Sequence, residues 1–183
     1  MGINNHNSGC GGRRQRGFSL IELLIVVAII LIICAIAIPN ILHARMAANQ
    51  AAAAANIRSI TTAALAYQSL YQNGYPPSLA VLGGTDPATC NGAELVDDIV
   101  ATPPYQKSGY TYTYAGQDGN LTTPAAGCGA AGFNGYFIGA TPVQVSVSGQ
   151  ESFCSYTPGV IHFDNSGAPV PDETTCSTLP TLQ

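Results

Sequence analysis

Arg16-Gly17-Phe18-Ser19-Leu20-Ile21-Glu22-Leu23-Leu24-Ile25-Val26-Val27-Ala28-Ile29-Ile30-Leu31-Ile32-Ile33-Cys34-Ala35-Ile36-Ala37-Ile38-Pro39-Asn40 is the stretch that decides how this chain folds. Phe18 to Ile38 is 21 residues, roughly 32 Å of helix at about 1.5 Å of rise each, against a bilayer hydrocarbon core of about 30 Å. One helix can cross. Glu22 is the single charge inside it, and Pro39, which has no backbone donor and kinks or ends helices, closes it. Ser19-Leu20-Ile21-Glu22 is also a capping-box pattern, in which the hydroxyl and the carboxylate each satisfy a free amide of the first turn. Arg13, Arg14 and Arg16 precede the apolar run. That cluster is the positive-inside signal and sets the N-terminus in the cytoplasm, the rest across the membrane.

Outward from this segment the chain is poor in charge. It has 183 residues, 46% hydrophobic and 9% charged, with a formal net charge of -4 and a mean hydropathy of +0.20. Beyond Gly17 only Arg45, Arg58 and Lys107 face all ten acidic residues. This balance excludes the basic footprint of a general nucleic-acid binder, so no direct nucleic-acid binding is expected. The length suits one modest domain after the helix.

Three readings of the N-terminal segment compete. A secretory signal peptide would use Ala35-Ile36-Ala37 as its cleavage site and release a soluble binding protein starting near Ile38; the carboxylate at Glu22 and the length of the apolar run argue against it. A plain membrane anchor would keep Glu22 only as a helix-start residue. The third reading rests on the whole string from Arg16 to Asn40, which closely resembles the type IV pilin and pseudopilin family. The resemblance implies a leader, Met1 to Gly17, cut by a prepilin peptidase between Gly17 and Phe18, with N-methylation of Phe18. Glu22 becomes the fifth mature residue, and Pro39 falls where these helices commonly carry a kinking proline.

The same resemblance implies the assembly role of Phe18 and Glu22. A carboxylate at the bilayer centre costs roughly 2.5 to 3.5 kcal/mol on insertion scales, so it needs a partner. Cleavage creates one, the new cationic amine of Phe18. In a staggered bundle Glu22 of one subunit meets Phe18 of the next, whereas in isolation it folds back on its own Phe18, four residues away on the same face. The implied partners are further copies of the chain, the prepilin peptidase and an inner-membrane assembly platform. The implied location is the inner membrane, then an extracellular pilus, or a periplasmic filament for a pseudopilin of type II secretion.

Beyond Pro39 the period remains helical. Ala47 to Ala55 is alanine-rich, and Ile57, Ile60, Ala64, Tyr67 and Tyr71 form an apolar seam. Asn73-Gly74 and Pro76-Pro77 stop it. A helix from about Phe18 to Gln72 would run roughly 82 Å, too long for the rest of the chain to bury. The expected division is 1–17 leader, 18–55 membrane-spanning and protruding helix, and 56–183 head domain. Residues 83–109 read as irregular, with a helical turn or two at Ala93 to Val100. The period then changes to two at Tyr110 to Tyr114, at Val143 to Ser148 joined by Tyr136 to Gly139, and at Val160 to Asp164. The expected fold is α+β, a pilin lollipop whose helix packs by its second half on a small antiparallel sheet.

Cys90, Cys128, Cys154 and Cys176 fall in the expected head, and an even count on the exported side favours disulfides with three possible pairings. Resemblance to pilins with a C-terminal disulfide loop implies Cys154 with Cys176, and with it Cys90 with Cys128. No metal site and no cofactor are expected: C-x-x-C spacing is missing, and Asp164-Asn165-Ser166-Gly167, though able to offer oxygens to calcium, is ordinary hairpin-turn chemistry. His162 reads as a surface or edge residue. No nucleophile elbow, phosphate loop or carboxylate pair marks an enzyme, so the expected function is structural, a major pilin, with the pseudopilin as the alternative within the class.

Overall fold

The computed structural model describes residues 18–84, 87–121 and 123–182. The expected leader lies outside them. The chain divides into two compact units with the boundary between Asn40 and Ile41, and one helix, α1 (Leu20–Tyr71, 52 residues), belongs partly to each. Of the first unit only helix and its short lead-in are described.

The second unit pairs the later part of α1 with a five-stranded antiparallel sheet, an α+β arrangement. Good helix formers from Ala47 to Ala55 carry α1 onward, and Ala53, Ile57, Ile60, Ala64 and Tyr67 bury the seam almost completely. The helix ends at Tyr71 because Gln72 turns left-handed (φ 50°), its amide still donating to the Gln68 carbonyl at 3.0 Å. Gly74 (φ 70°) follows in the same region, and a Cβ there would lie 2.5 Å from the Phe133 carbonyl oxygen. Between them Asn73 is fully buried; it donates to the Ala130 carbonyl and accepts from the Ala125 amide, each at 2.9 Å.

Two short helices, α2 (Leu79–Leu82) and α3 (Asp98–Ala101), precede the sheet. Its strands β1 (Gln106–Lys107), β2 (Tyr110–Asn120), β3 (Phe133–Pro142), β4 (Ser152–Tyr156) and β5 (Val160–Asp164) run in sequence order, a meander. Tyr112 pairs with Ala140, Ile138 with Ser155, and Cys154 with His162. Strand alternation sorts the side chains. Tyr110, Tyr112, Tyr136, Ile138, Phe153 and Ile161 join the α1 seam in the main core. Phe137 and Cys154 point the other way, into a second cluster with Val170 and Cys176 of the short helix α4 (Glu173–Ser177). The sheet is therefore covered on both faces.

Two expectations need correction. Val143 to Ser148 is no strand: it folds on itself, with the Ser146 amide on the Gly149 carbonyl at 2.8 Å and the Ser148 amide on Gln144 at 2.9 Å, leaving Val143, Val145 and Val147 exposed. The strand after β3 is instead Ser152–Tyr156. The second compact unit starts at Ile41, and at Asn49 the helix side chain donates to the Ser148 carbonyl at 2.8 Å. His162 is buried rather than at the surface, because the C-terminal tail lies over it: its Nδ1 is 2.8 Å from the Leu179 carbonyl, and the tail pairs along β5 through Phe163 to Pro180 and Leu182 to Ile161. This covers an edge that would otherwise be open to pairing.

Candidate assembly site at the N-terminal helix

Gly17, the expected cleavage residue, lies outside the described residues. Phe18 is 78% exposed, and α1 starts two residues later. The Ser19 amide donates to Glu22 Oε2 at 3.0 Å, and the Leu23 amide to the Ser19 carbonyl at 3.2 Å. This is the carboxylate half of a capping box. The Phe18 nitrogen is a peptide amide while Gly17 is attached, so Glu22 has no amine to pair with. It makes no ion pair among the described residues.

Beyond Glu22 every large apolar side chain from Leu23 to Leu42 is exposed, and the helix carries an 18-residue window of mean hydropathy 3.3 with none of it buried. By length and composition it can cross a membrane. Exposed apolar surface of this extent marks a membrane or interaction site. Pro39 sits inside α1 without ending it; the Asn40 side-chain amide donates to the Ile36 carbonyl at 3.3 Å, adding a donor next to the place where the proline lacks one. Cys34 is exposed on the same helix and has no disulfide partner.

The cysteines of the second unit pair as Cys90–Cys128 and Cys154–Cys176. The first meets the end of α1: the Tyr67 hydroxyl donates to the Cys90 carbonyl at 2.9 Å. The second ties α4 to β4, with both residues fully buried. Asp164 closes a local turn through the Ser166 amide at 3.1 Å and the Ser166 hydroxyl. No group of three or more metal-ligating side chains occurs among the described residues.

Residues 12–38 match the prokaryotic N-terminal methylation motif. The chain is 44% identical over 73 residues to the type IV wide pilus major component PilA4 of Thermus thermophilus, covering 38% of this chain and 53% of the relative. It is 52% identical over 50 residues to the type IV major pilin protein PilA of Myxococcus xanthus, 27% of this chain and 23% of the relative. Its N-terminal segment is thus similar to those of type IV pilins. A third relative is the type II secretion system core protein G of Pectobacterium carotovorum, 32% identical over 75 residues, 41% of this chain and 47% of the relative. The chain thus spans about half or less of the curated relatives it matches. No solved structure matches it.

The pilin-type segment is where the sequence pointed. What the sequence did not single out is Arg58, which lines a cleft on the later part of α1. One exposed arginine in a helical seam gives no pattern signal.

Proposed function

We propose that this chain is the major subunit of a type IV pilus. The prepilin peptidase cuts between Gly17 and Phe18 and methylates Phe18. The subunit waits in the inner membrane with its N-terminus cytoplasmic, then an inner-membrane assembly platform adds it to an extracellular filament. The observation that carries this reading is the unburied apolar surface from Phe18 to Leu42, headed by one carboxylate at Glu22. Such a surface is stable only in lipid or against like helices. Transfer from one to the other costs little apolar energy, because both are dry.

Glu22 supplies the register. In the precursor its carboxylate is held by the Ser19 amide; once cleaved, the Phe18 amine of a neighbouring subunit offers a charge that lipid cannot. Pro39 provides the place at which the helix bends to fit its neighbours. The role is structural, and no reaction is assigned to the head. The second reading, a major pseudopilin whose filament stays periplasmic, has behind it the weaker likeness to a secretion core protein, at 32% identity.

The test is the intact mass and N-terminal peptide of the native protein from the membrane fraction and from material sheared off the cells. N-methylated Phe18 abundant in the sheared fraction is the expected result. The same N-terminus confined to the membrane selects the pseudopilin. A start near Ile38 overturns both.

A further inference from the structure

The loop between β3 and β4 presents three valines to solvent. Val143, Val145 and Val147 are 54%, 45% and 55% exposed, and no residue from 143 to 148 is charged. The loop is nevertheless firmly held. The Val143 amide donates to the Gly109 carbonyl at 2.9 Å, the Asn49 side chain of α1 to the Ser148 carbonyl at 2.8 Å, and the Gln144 amide to the Ser148 hydroxyl at 3.0 Å. Val145 leans on the turn after β5, since a Cβ on Gly167 would stand 3.1 Å from both of its methyl carbons. A scaffold of this kind keeps the valines from collapsing inward, where apolar groups otherwise go.

Within the second unit this loop lies beside the first turns of α1. His43, Met46 and Gln50 line one cleft of about 470 Å³ together with Gln150, Glu151 and Asn165. The chain just after the loop and the turn that Val145 touches therefore reach the level of His43, the residue next to Leu42, where the exposed apolar run ends. Leu20 to Leu42 is 23 residues, about 34 Å of helix, against a hydrocarbon core of about 30 Å with a headgroup layer of roughly 5 to 8 Å on each side. With α1 across a bilayer, His43 stands in the headgroup layer and the loop is within its reach. Apolar groups rimmed by polar ones mark a membrane or protein contact, and area decides between the two. Three half-exposed valines offer on the order of 200 Å², whereas a stable protein contact takes about 800 Å² from each partner. Lipid sets no such threshold, because α1 already anchors the chain, and an uncharged loop enters the interface without the cost of desolvating a charge.

We infer that the Val143–Val147 loop docks on the lipid surface beside α1 and seats the head on the bilayer while the subunit waits in the membrane, a contact that rests on the membrane-spanning part of the reading above. The chain has no tryptophan, so single indoles report on it without interference. Val145→Trp and Val147→Trp, each as the full chain in phosphatidylcholine vesicles, are the loop reporters. Val160→Trp, exposed beside Arg58 about 13 Å further along α1 than Asn49, is the control in water, and Leu31→Trp is the control inside the span. Lipids brominated at a shallow acyl position should quench most of the emission of both loop reporters and leave Val160→Trp untouched, while aqueous iodide should do the reverse. Deep bromination should quench Leu31→Trp. Loop reporters that respond to iodide as Val160→Trp does overturn the contact while the membrane reading stands. Loop reporters shielded from iodide only at high protein-to-lipid ratio, and never quenched by bromine, show a second copy covering the loop and overturn it as well. Leu31→Trp untouched by brominated lipid removes the membrane-spanning reading and the contact with it.

Discussion

At Glu22 two physical roles overlap, and a pair of substitutions separates them. As a capping residue the side chain needs only an acceptor for the Ser19 amide, now 3.0 Å away, and glutamine supplies that as well as glutamate does. As the partner of a cationic Phe18 amine it needs the charge. Glu22→Gln therefore keeps the cap and loses the ion pair, whereas Glu22→Ala loses both. If register depends on charge, both variants should reach the membrane normally and cut the filament yield by roughly tenfold or more, the effect of about 1.4 kcal/mol. Counting sheared filaments against the membrane pool checks it. Near-normal assembly by Glu22→Gln would reduce the residue to a cap. The sequence made this position legible because a lone carboxylate in an apolar run is costly wherever it sits. Arg58 and Asn73 were not legible, since each draws its meaning from residues distant in sequence, such as Gly159 beside Arg58 and Ala125 and Ala130 around Asn73.

Among the elements, legibility follows how many faces are buried. β2 keeps one side wetter than the other, so Tyr110, Tyr112 and Tyr114 alternate with threonines and the strand shows in the sequence. β4 is buried on both faces from Ser152 to Cys154 and on to Ser155, with α1 on one side and α4 on the other, so its alternation disappears. The reverse failure occurs at Val143 to Ser148, where a period of two has no neighbouring strand and the backbone bonds to itself. What α4 does for β4 depends on Cys154–Cys176, which closes 22 residues of chain over the outer face. A loop of this size is worth about 3 kcal/mol in the chain-entropy treatment. Cys154→Ala with Cys176→Ala should lower the melting temperature by roughly 10 °C, measured by circular dichroism on the full chain in detergent. The Tyr67 and Tyr110 environments on the opposite face should change little. An unchanged melting temperature would mean that Phe137 and Val170 hold α4 in place without the bond.

For the molecule as a whole, the core is unusually phenolic, and that sets its alkaline limit. Tyr67, Tyr110, Tyr112 and Tyr136 are each 1% exposed or less, and burial raises the pKa of all four and of Tyr114 above the ordinary value. Three of the hydroxyls are hydrogen-bonded locally: Asn56 donates to Tyr112 at 2.8 Å, Tyr110 donates to the Glu151 carbonyl at 2.7 Å and Tyr67 to the Cys90 carbonyl at 2.9 Å, while those of Tyr114 and Tyr136 are buried without a partner. In the unfolded chain a tyrosine releases its proton near pH 10, while in the fold these hold theirs to higher pH. The folded state binds more protons, so its stability is fully present below pH of about 10 and declines as the pH rises beyond it. Above that point each buried phenol forfeits at most about 1.4 kcal/mol per pH unit, until its own raised pKa is reached, and several together draw on the 5 to 15 kcal/mol that typical domains possess. The head should thus unfold in one steep alkaline step, with phenolate absorbance rising as β-structure circular dichroism is lost. Tyrosines titrating near pH 10 before any loss of structure would show that water reaches the sheet–helix interface. A Tyr112→Phe variant refines the test, for it removes one titrating group and leaves the Asn56 amide without its acceptor. Its midpoint should move to higher pH even though its stability at neutral pH falls by about 1 kcal/mol.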